Sequence, residues 1–266
     1  MKSVNREFIE KARDVFDLSG RVAIITGAAG GLGQLITFSL VAFGARVVLA
    51  SRNLDNLKQL KERIQGLGDE AIAIATDITQ EDQVDHMVSE ALERFGGIDI
   101  LVNNSGVKNT DINSQPRLEG WHKVMETNVT GAFLCSQRVG RVMISQKKGK
   151  IISISSIRGA FGRTTPDFSA YCTSKGAVDA LTRALACEWG KYNIQVNSIA
   201  PCLIETDPSR PFVNPAYAKR IVERIPLGRW AQPRDLIGSV IFLASDASNF
   251  VNGQTLYVDG GYSISD

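Results

Sequence analysis

Strand-length runs that are apolar at nearly every position, each followed by a helix-length amphipathic stretch, constrain this chain more than any other feature; Val22-Ala23-Ile24-Ile25 is the first. A strand with one face in water alternates apolar and polar residues, so a run without alternation is covered on both faces, as in a parallel sheet layered by helices. Such strands are expected at Arg21–Thr26, Arg46–Ala50, Ala71–Thr76, Ile98–Asn103, Lys150–Ser155, Ile194–Ile199 and Thr255–Val258, seven in all. Helical patterns begin near Gly31, Leu54, Gln80, Leu118, Ser169 and Gln232. Parallel neighbours need a crossover and the alternation supplies one, which makes the expected fold a doubly wound parallel α/β sheet.

The 266 residues, 44% of them hydrophobic, suffice for one large core, and no linker-like break divides them. One domain is therefore expected over 18–266, with a mobile substrate lid at about 206–226, where Pro208, Pro211 and Pro215 interrupt the periodicity. Residues 1–17 read as an extension. Phe8, Ile9, Ala12, Val15 and Phe16 fall near helical spacing, and the charges among them leave no apolar stretch for a secretion signal.

A net charge of +2, from 30 basic and 28 acidic residues, excludes a field strong enough to call for nucleic acid or an anionic membrane. No apolar run approaches the ~20 residues of a bilayer span. Cys135, Cys172, Cys187 and Cys202 lack CxxC or zinc-ligand spacing, and His86 and His122 have no metal-like neighbours. Reduced thiols, a cytoplasmic location, no metal and a small-molecule substrate are the expectations.

Directly after the first strand stands Thr26-Gly27-Ala28-Ala29-Gly30-Gly31-Leu32-Gly33, opening an apolar helix. Glycines let the backbone approach a pyrophosphate, and a helix N-terminus offers unpaired N–H groups and partial positive charge, so this Rossmann-type arrangement is a dinucleotide site. The second strand ends in Ser51-Arg52 with no acid. A carboxylate there would bind the ribose 2′-OH of NAD, whereas a cation suits the 2′-phosphate of NADP. NADP(H) is favoured, with NAD(H) the alternative, since the glycine loop has no basic residue of its own.

Tyr171 and Lys175 stand four apart in a helical stretch. Residues i and i+4 share a face, so the ammonium is expected to favour the phenolate and bring a group that titrates near pH ~10 into range for acid–base catalysis.

With these motifs, the chain resembles the short-chain dehydrogenase/reductases in their compact single-domain form, from Leu18 to the C-terminus. Thr26-Gly27-x-x-x-Gly31-x-Gly33 is similar to that family's glycine motif, and Asn103-Asn104-Ser105-Gly106 to its Asn-Asn-Ala-Gly motif, with Ser105 for Ala. The resemblance implies dinucleotide contacts at Gly27, Gly31, Leu32, Gly33, Ser51, Arg52, Asp77, Ile78, Asn104, Tyr171, Lys175, Ile204 and Thr206. Asp77 serves equally well as a turn or cap residue.

The resemblance also implies a catalytic set of Asn128, Ser156, Tyr171 and Lys175. Ser156 holds the substrate oxygen, Tyr171 exchanges the proton, Lys175 tunes Tyr171 and holds the nicotinamide ribose, and Asn128 carries a relay water. The loop from Ile157 to Ala170 is longer than in many relatives, which leaves Ser155 open beside Ser156; strand alternation sends the two to opposite faces, and Ser156 is preferred. Cys202 replaces a Gly of the family and is a candidate pocket residue. The family's enoyl reductases place their lysine where this chain has Val178.

The implied reaction is reversible hydride transfer between a nicotinamide and a secondary alcohol or ketone, in a homotetramer. The general character is similar to the gluconate 5-dehydrogenase branch. Lys108, Arg158, Arg163 and Arg210 near the mouth suit an anionic substrate such as a sugar acid, although singly each reads as a solvated loop cation, and Phe161, Phe168, Phe212 and Val107 suit an apolar one. A reductase of acyl-carrier-protein thioesters and a non-catalytic dinucleotide sensor are the alternatives.

Overall fold

The computed structural model describes residues 11, 12, 14–108, 117–162, 168–205 and 215–265. Seven strands, β1 (Val22–Thr26), β2 (Arg46–Ser51), β3 (Ala71–Ala75), β4 (Ile100–Asn103), β5 (Gly149–Ile154), β6 (Ile194–Pro201) and β7 (Thr255–Val258), form one parallel sheet in the order β3-β2-β1-β4-β5-β6-β7. The helices are α1 (Gly31–Ala42), α2 (Leu54–Gln65), α3 (Glu81–Phe95), α4 (Leu118–Met125), α5 (Gly131–Gln146), α6 (Ser169–Trp189), α7 (Pro215–Glu223) and α8 (Ile237–Ala244). This is the Rossmann-type doubly wound fold.

Strand alternation divides the core into two layers. Ala23, Ile25, Val47, Leu49, Val102 and Ile152 pack with Ile36 and Leu40 of α1, Leu57 and Leu60 of α2, and Val240 of α8. Their neighbours Val22, Ile24, Val48, Leu101, Ile151 and Val196 point the other way, onto Val84 and Met87 of α3, Val139 and Met143 of α5, and Leu185 of α6. The central strands are buried throughout, as their composition requires. The outer strands β3 and β7 are not: Leu256 and Tyr257 of β7 are exposed.

The strand order reverses between β1 and β4, and in such sheets the crevice beyond the C-terminal strand ends at that point receives the ligand. The connections after β1, β4, β5 and β6 converge there. Leu18 is fully buried in the first core layer, while Phe16 just before it is exposed. Lys11, Ala12 and Asp14 are helical. Phe8 and Ile9, assigned to the same amphipathic helix, lie outside the described residues, as does the lid over 206–214. The rest of that lid is more regular than expected, because Pro215 opens α7 at the position where a missing N–H costs nothing.

Candidate active site

The nucleotide end is shaped by what its residues lack. Gly27 has φ +65, and a Cβ on it would lie 3.0 Å from both Asn104 Nδ2 and Ser105 Cα. A Cβ on Gly33 would come within 2.1 Å of the Gly27 carbonyl oxygen. Helix α1 therefore starts flush against the turn. Its N-cap, Gly30, has no side chain to satisfy the first N–H groups, and its first turn has no acid. Those N–H groups and the partial positive charge behind them suit a pyrophosphate. Gly31 and the half-buried Leu32 occupy the first turn.

Thr26 and Asn104 hold this turn in place. Thr26 Oγ1 donates to the Val102 carbonyl at 3.3 Å and accepts from the N–H groups of Asn104 at 3.0 Å and Ser105 at 3.1 Å. Asn104 Nδ2 donates to the carbonyls of Thr26 at 3.0 Å and Gly27 at 3.1 Å. Its amide N–H groups are thus committed to the turn, so Asn104 shapes the cradle.

At the end of β2, Ser51, Arg52, Asn53, Leu54 and Asp55 line a hollow of about 570 Å³. Arg52 is exposed and makes no ion pair among the described residues, while Asp55 faces the hollow from the first turn of α2. Asp77 Oδ1 accepts from Thr79 N at 3.0 Å and Thr79 Oγ1 at 2.8 Å, which is the turn-residue geometry weighed for it. Ile78 is buried in the core, and the end of its side chain fills the space a Cβ on Gly131 would need. Ile204 follows β6 and bridges to Ala231. Thr206 lies outside the described residues.

The end of the crevice beyond β5, where the catalytic set is expected, is built from buried polar side chains. A π turn, Glu126–Thr130, separates α4 from α5 and turns Asn128 inward. Asn128 Oδ1 accepts from Val107 N at 2.8 Å, and its Nδ2 donates to Val107 O and to Ser174 Oγ, each at 3.0 Å. Ser174 Oγ in turn donates to the Tyr171 carbonyl at 2.8 Å. One chain of bonds thus runs from the loop after β4 to α6.

Ser156 Oγ accepts from Arg158 N at 3.2 Å, and its hydroxyl stands close enough to the Tyr171 phenol to favour the phenolate. Ser155 turns the other way, its hydroxyl 3.4 Å from the Lys175 carbonyl. Lys175 Nζ lies 5.7 Å from the Tyr171 ring centroid and donates to the Ile154 carbonyl at 2.6 Å. Asn128, Ser156, Tyr171 and Lys175 therefore meet in one place, with Phe168 edge-on to the phenol at 6.0 Å.

One expectation fails. The phenol is not drawn down. Burial dominates and pushes Tyr171 up, and the groups that oppose it are the Ser156 hydrogen bond and the Arg158 charge. A shared helix face brings the ammonium near the ring, but its hydrogen bond goes to Ile154. Burial also pulls Lys175 down, to about 8; Asp179, one turn further along the same face, works against this, while Lys108 adds to it. Asp179 is buried, and its Oδ1 accepts from Ser198 Oγ at 3.1 Å and Thr255 Oγ1 at 3.3 Å. Thr26 was read only as the first residue of the glycine motif, and the roles of Ser174 and Asp179 went unnoticed in the sequence. Only the position of Ser174, three residues after Tyr171 and so able to bond back to its carbonyl, could have signalled one of them.

Cys202 is half-buried against Ile157, Ile221 and Tyr262, and burial pushes its thiol up, which fits a pocket wall and not a nucleophile. Among the described residues no cluster of His, Cys, Asp or Glu could hold a metal ion, and no helix is long and apolar enough to cross a membrane. Arg163 and Arg210 lie outside the described residues.

Comparison with known proteins places the chain in a family. Residues 27–263 match a family model described as enoyl-(acyl carrier protein) reductase. The gluconate 5-dehydrogenase of Gluconobacter oxydans is 37% identical over 95% of this chain and 98% of its own. A 3-oxoacyl-[acyl-carrier-protein] reductase of Synechocystis is 35% identical over 92% of this chain and 97% of its own. The crystal structure of a gluconate 5-dehydrogenase from Burkholderia cenocepacia in complex with NADP and tartrate superposes with a TM-score of 0.89 at 39% identity, covering 96% of this chain and all of that one. The chain belongs to the short-chain dehydrogenase/reductase family and is an NAD(P)-dependent oxidoreductase.

Proposed function

We propose that the chain is an NADP-preferring enzyme that moves hydride reversibly between the nicotinamide and a secondary alcohol or ketone carbon of a small sugar acid. The observation that carries this reading is the meeting of Tyr171, Ser156, Lys175 and Asn128 beside the cradle of Gly27 and Gly33. The bound dinucleotide supplies or accepts the hydride. In reduction, Tyr171 gives its phenolic proton to the carbonyl oxygen; in oxidation, the phenolate takes the hydroxyl proton. Ser156 bonds the same oxygen and holds it in line. Lys175 places positive charge beside the phenol. The Asn128 carboxamide is committed to Val107 and Ser174, which ties the relay residue to the loop after β4 and to α6.

Ser51 and Arg52 support the NADP preference, since a guanidinium without an ion-pair partner among the described residues faces the hollow where a 2′-phosphate would sit. The gluconate 5-dehydrogenase relatives support the sugar acid. A homotetramer is the proposed assembly. The apolar residues left in water at Phe133 of α5 and at Phe250, Leu256 and Tyr257 around the sheet edge supply two faces for it. The test is a spectrophotometric screen of gluconate, ketogluconate, neutral polyols, aromatic alcohols and ketones with both dinucleotides. The expected result is turnover of the sugar acids with about a tenfold higher kcat/KM for NADP, the discrimination of about one charge-assisted phosphate contact. Turnover confined to neutral or aromatic compounds, or a preference for NAD, would overturn it.

A further inference from the structure

Besides Lys175, Lys108 lies beside the Tyr171 ring and the charge of Arg158 reaches its phenol, and the two come from segments far apart in the chain. Lys108 Nζ, after β4, lies 5.8 Å from the ring centroid. Arg158, after β5, follows Ser156 by two residues, and its charge favours the phenolate. Arg158 is half-buried and has no carboxylate partner among the described residues. Its Nη1 donates to the Gly162 carbonyl at 2.6 Å, its Nη2 reaches Tyr262 Oη at 3.4 Å, and its guanidinium carbon lies 5.7 Å from the Tyr262 ring centroid.

Two other half-buried arginines are neutralised, Arg138 by Glu81 and Asp85 and Arg21 by Asp246, while Arg46, far from the site, donates to the Gly20 carbonyl at 2.7 Å and lies over the Phe95 ring. Asp259, whose charge acts on Cys202 as that of Arg158 does, gives its oxygens to the N–H groups of Gly261 at 3.0 Å and Ser263 at 2.8 Å. A guanidinium shielded from water without an anion has lost hydration and gained no Coulomb return, and most of its five N–H donors remain for a carboxylate.

We propose that Arg158 and Lys108 form an anion subsite that takes the substrate carboxylate and so sets which carbon of the chain lies over Tyr171. This rests on the sugar-acid reading above and assigns residues to it. Tyr262 and Gly162 fix the guanidinium, which gives the subsite direction as well as charge.

The test is calorimetric titration of the NADPH-loaded protein with gluconate and with glucitol, the same carbon chain carrying an alcohol where gluconate has its carboxylate. Both are already reduced, so neither reacts. The wild type is expected to prefer gluconate by about tenfold or more, the return on one charge-assisted contact. Lys108→Met and Arg158→Ala should each reduce that preference severalfold. Because Arg158→Ala also gives up the Gly162 and Tyr262 contacts, Arg158→Lys separates charge from loop packing and should recover part of the preference. Equal affinity for the two compounds in the wild type, no measurable gluconate binding, or equal losses for both compounds in the variants would overturn the subsite. If gluconate binds with this dependence but is never oxidised, the proposed substrate falls and the subsite stands. If gluconate is oxidised without any binding preference over glucitol, the subsite falls and the oxidoreductase reading stands.

Discussion

The turn after β1 and the turn after β5 lie in the same row of strand ends, yet opposite means build them. After β1 the site is made by omission: Gly33 leaves room for the Gly27 carbonyl, and Gly30 caps a helix without covering its N–H groups. After β5 it is made by addition, with Ser156, Lys175, Asn128 and Ser174 buried, Lys175 bonded to the Ile154 carbonyl and Asn128 to Ser174. A cradle for a ligand backbone tolerates nothing extra. A buried polar cluster tolerates nothing missing, because an unpaired group there costs its full desolvation.

The largest effect on the first region is expected from Gly33→Ala. The new methyl would overlap backbone, which cannot swing aside as a side chain can, and NADPH affinity should fall by about a hundredfold in a fluorescence titration. Near-normal affinity would show that the turn is not shaped by omission. Thr26→Val is smaller and sharpens the contrast, since it removes the one hydroxyl that serves Val102, Asn104 and Ser105 together. It should cost about 2 kcal/mol in urea unfolding, the price of two N–H groups left without their acceptor.

The smallest effect belongs to the catalytic end. Asp179→Asn keeps an oxygen for Ser198 and Thr255 but removes the charge that helps hold the proton on Lys175. Lys175, already at about 8, should then lose its proton at lower pH. In the reducing direction the alkaline fall of kcat/KM should therefore begin earlier, with about a two- to threefold loss near that pH. An unchanged profile would mean that Asp179 serves only to tie α6 to β6 and β7.

Much of this was legible in the sequence because it is local. The apolar runs placed the strands to within a residue or two, the glycines after β1 marked the cradle, and the spacing of Tyr171 and Lys175 placed both on one face of α6. What could not be read depends on contacts between distant segments. Nothing near Asn104 says that its amide turns back to Thr26 and Gly27, and nothing near Asn128 announces the π turn that aims it at Val107 and Ser174. Spacing brings Lys175 to the phenol but is silent about the Ile154 carbonyl that claims its proton, and it cannot weigh burial against charge. Helix α7 was taken into the lid because little periodicity precedes Tyr217, although Pro215 is its first residue. Strands β3 and β7 were expected to be covered on both faces like their neighbours, and their place at the edges of the sheet, which no local pattern reveals, leaves them partly in water.

The two regions should be separable by a single change at the phenol. Tyr171→Phe removes one oxygen from the catalytic end and touches nothing that holds the dinucleotide turn. Measured side by side, kcat for reduction of ketogluconate should fall by about a thousandfold or more, while the Kd for NADPH stays within about twofold of the wild type. Substantial residual turnover, or a loss of NADPH binding that matches the loss of activity, would contradict the assignment of Tyr171 as the group that moves the proton.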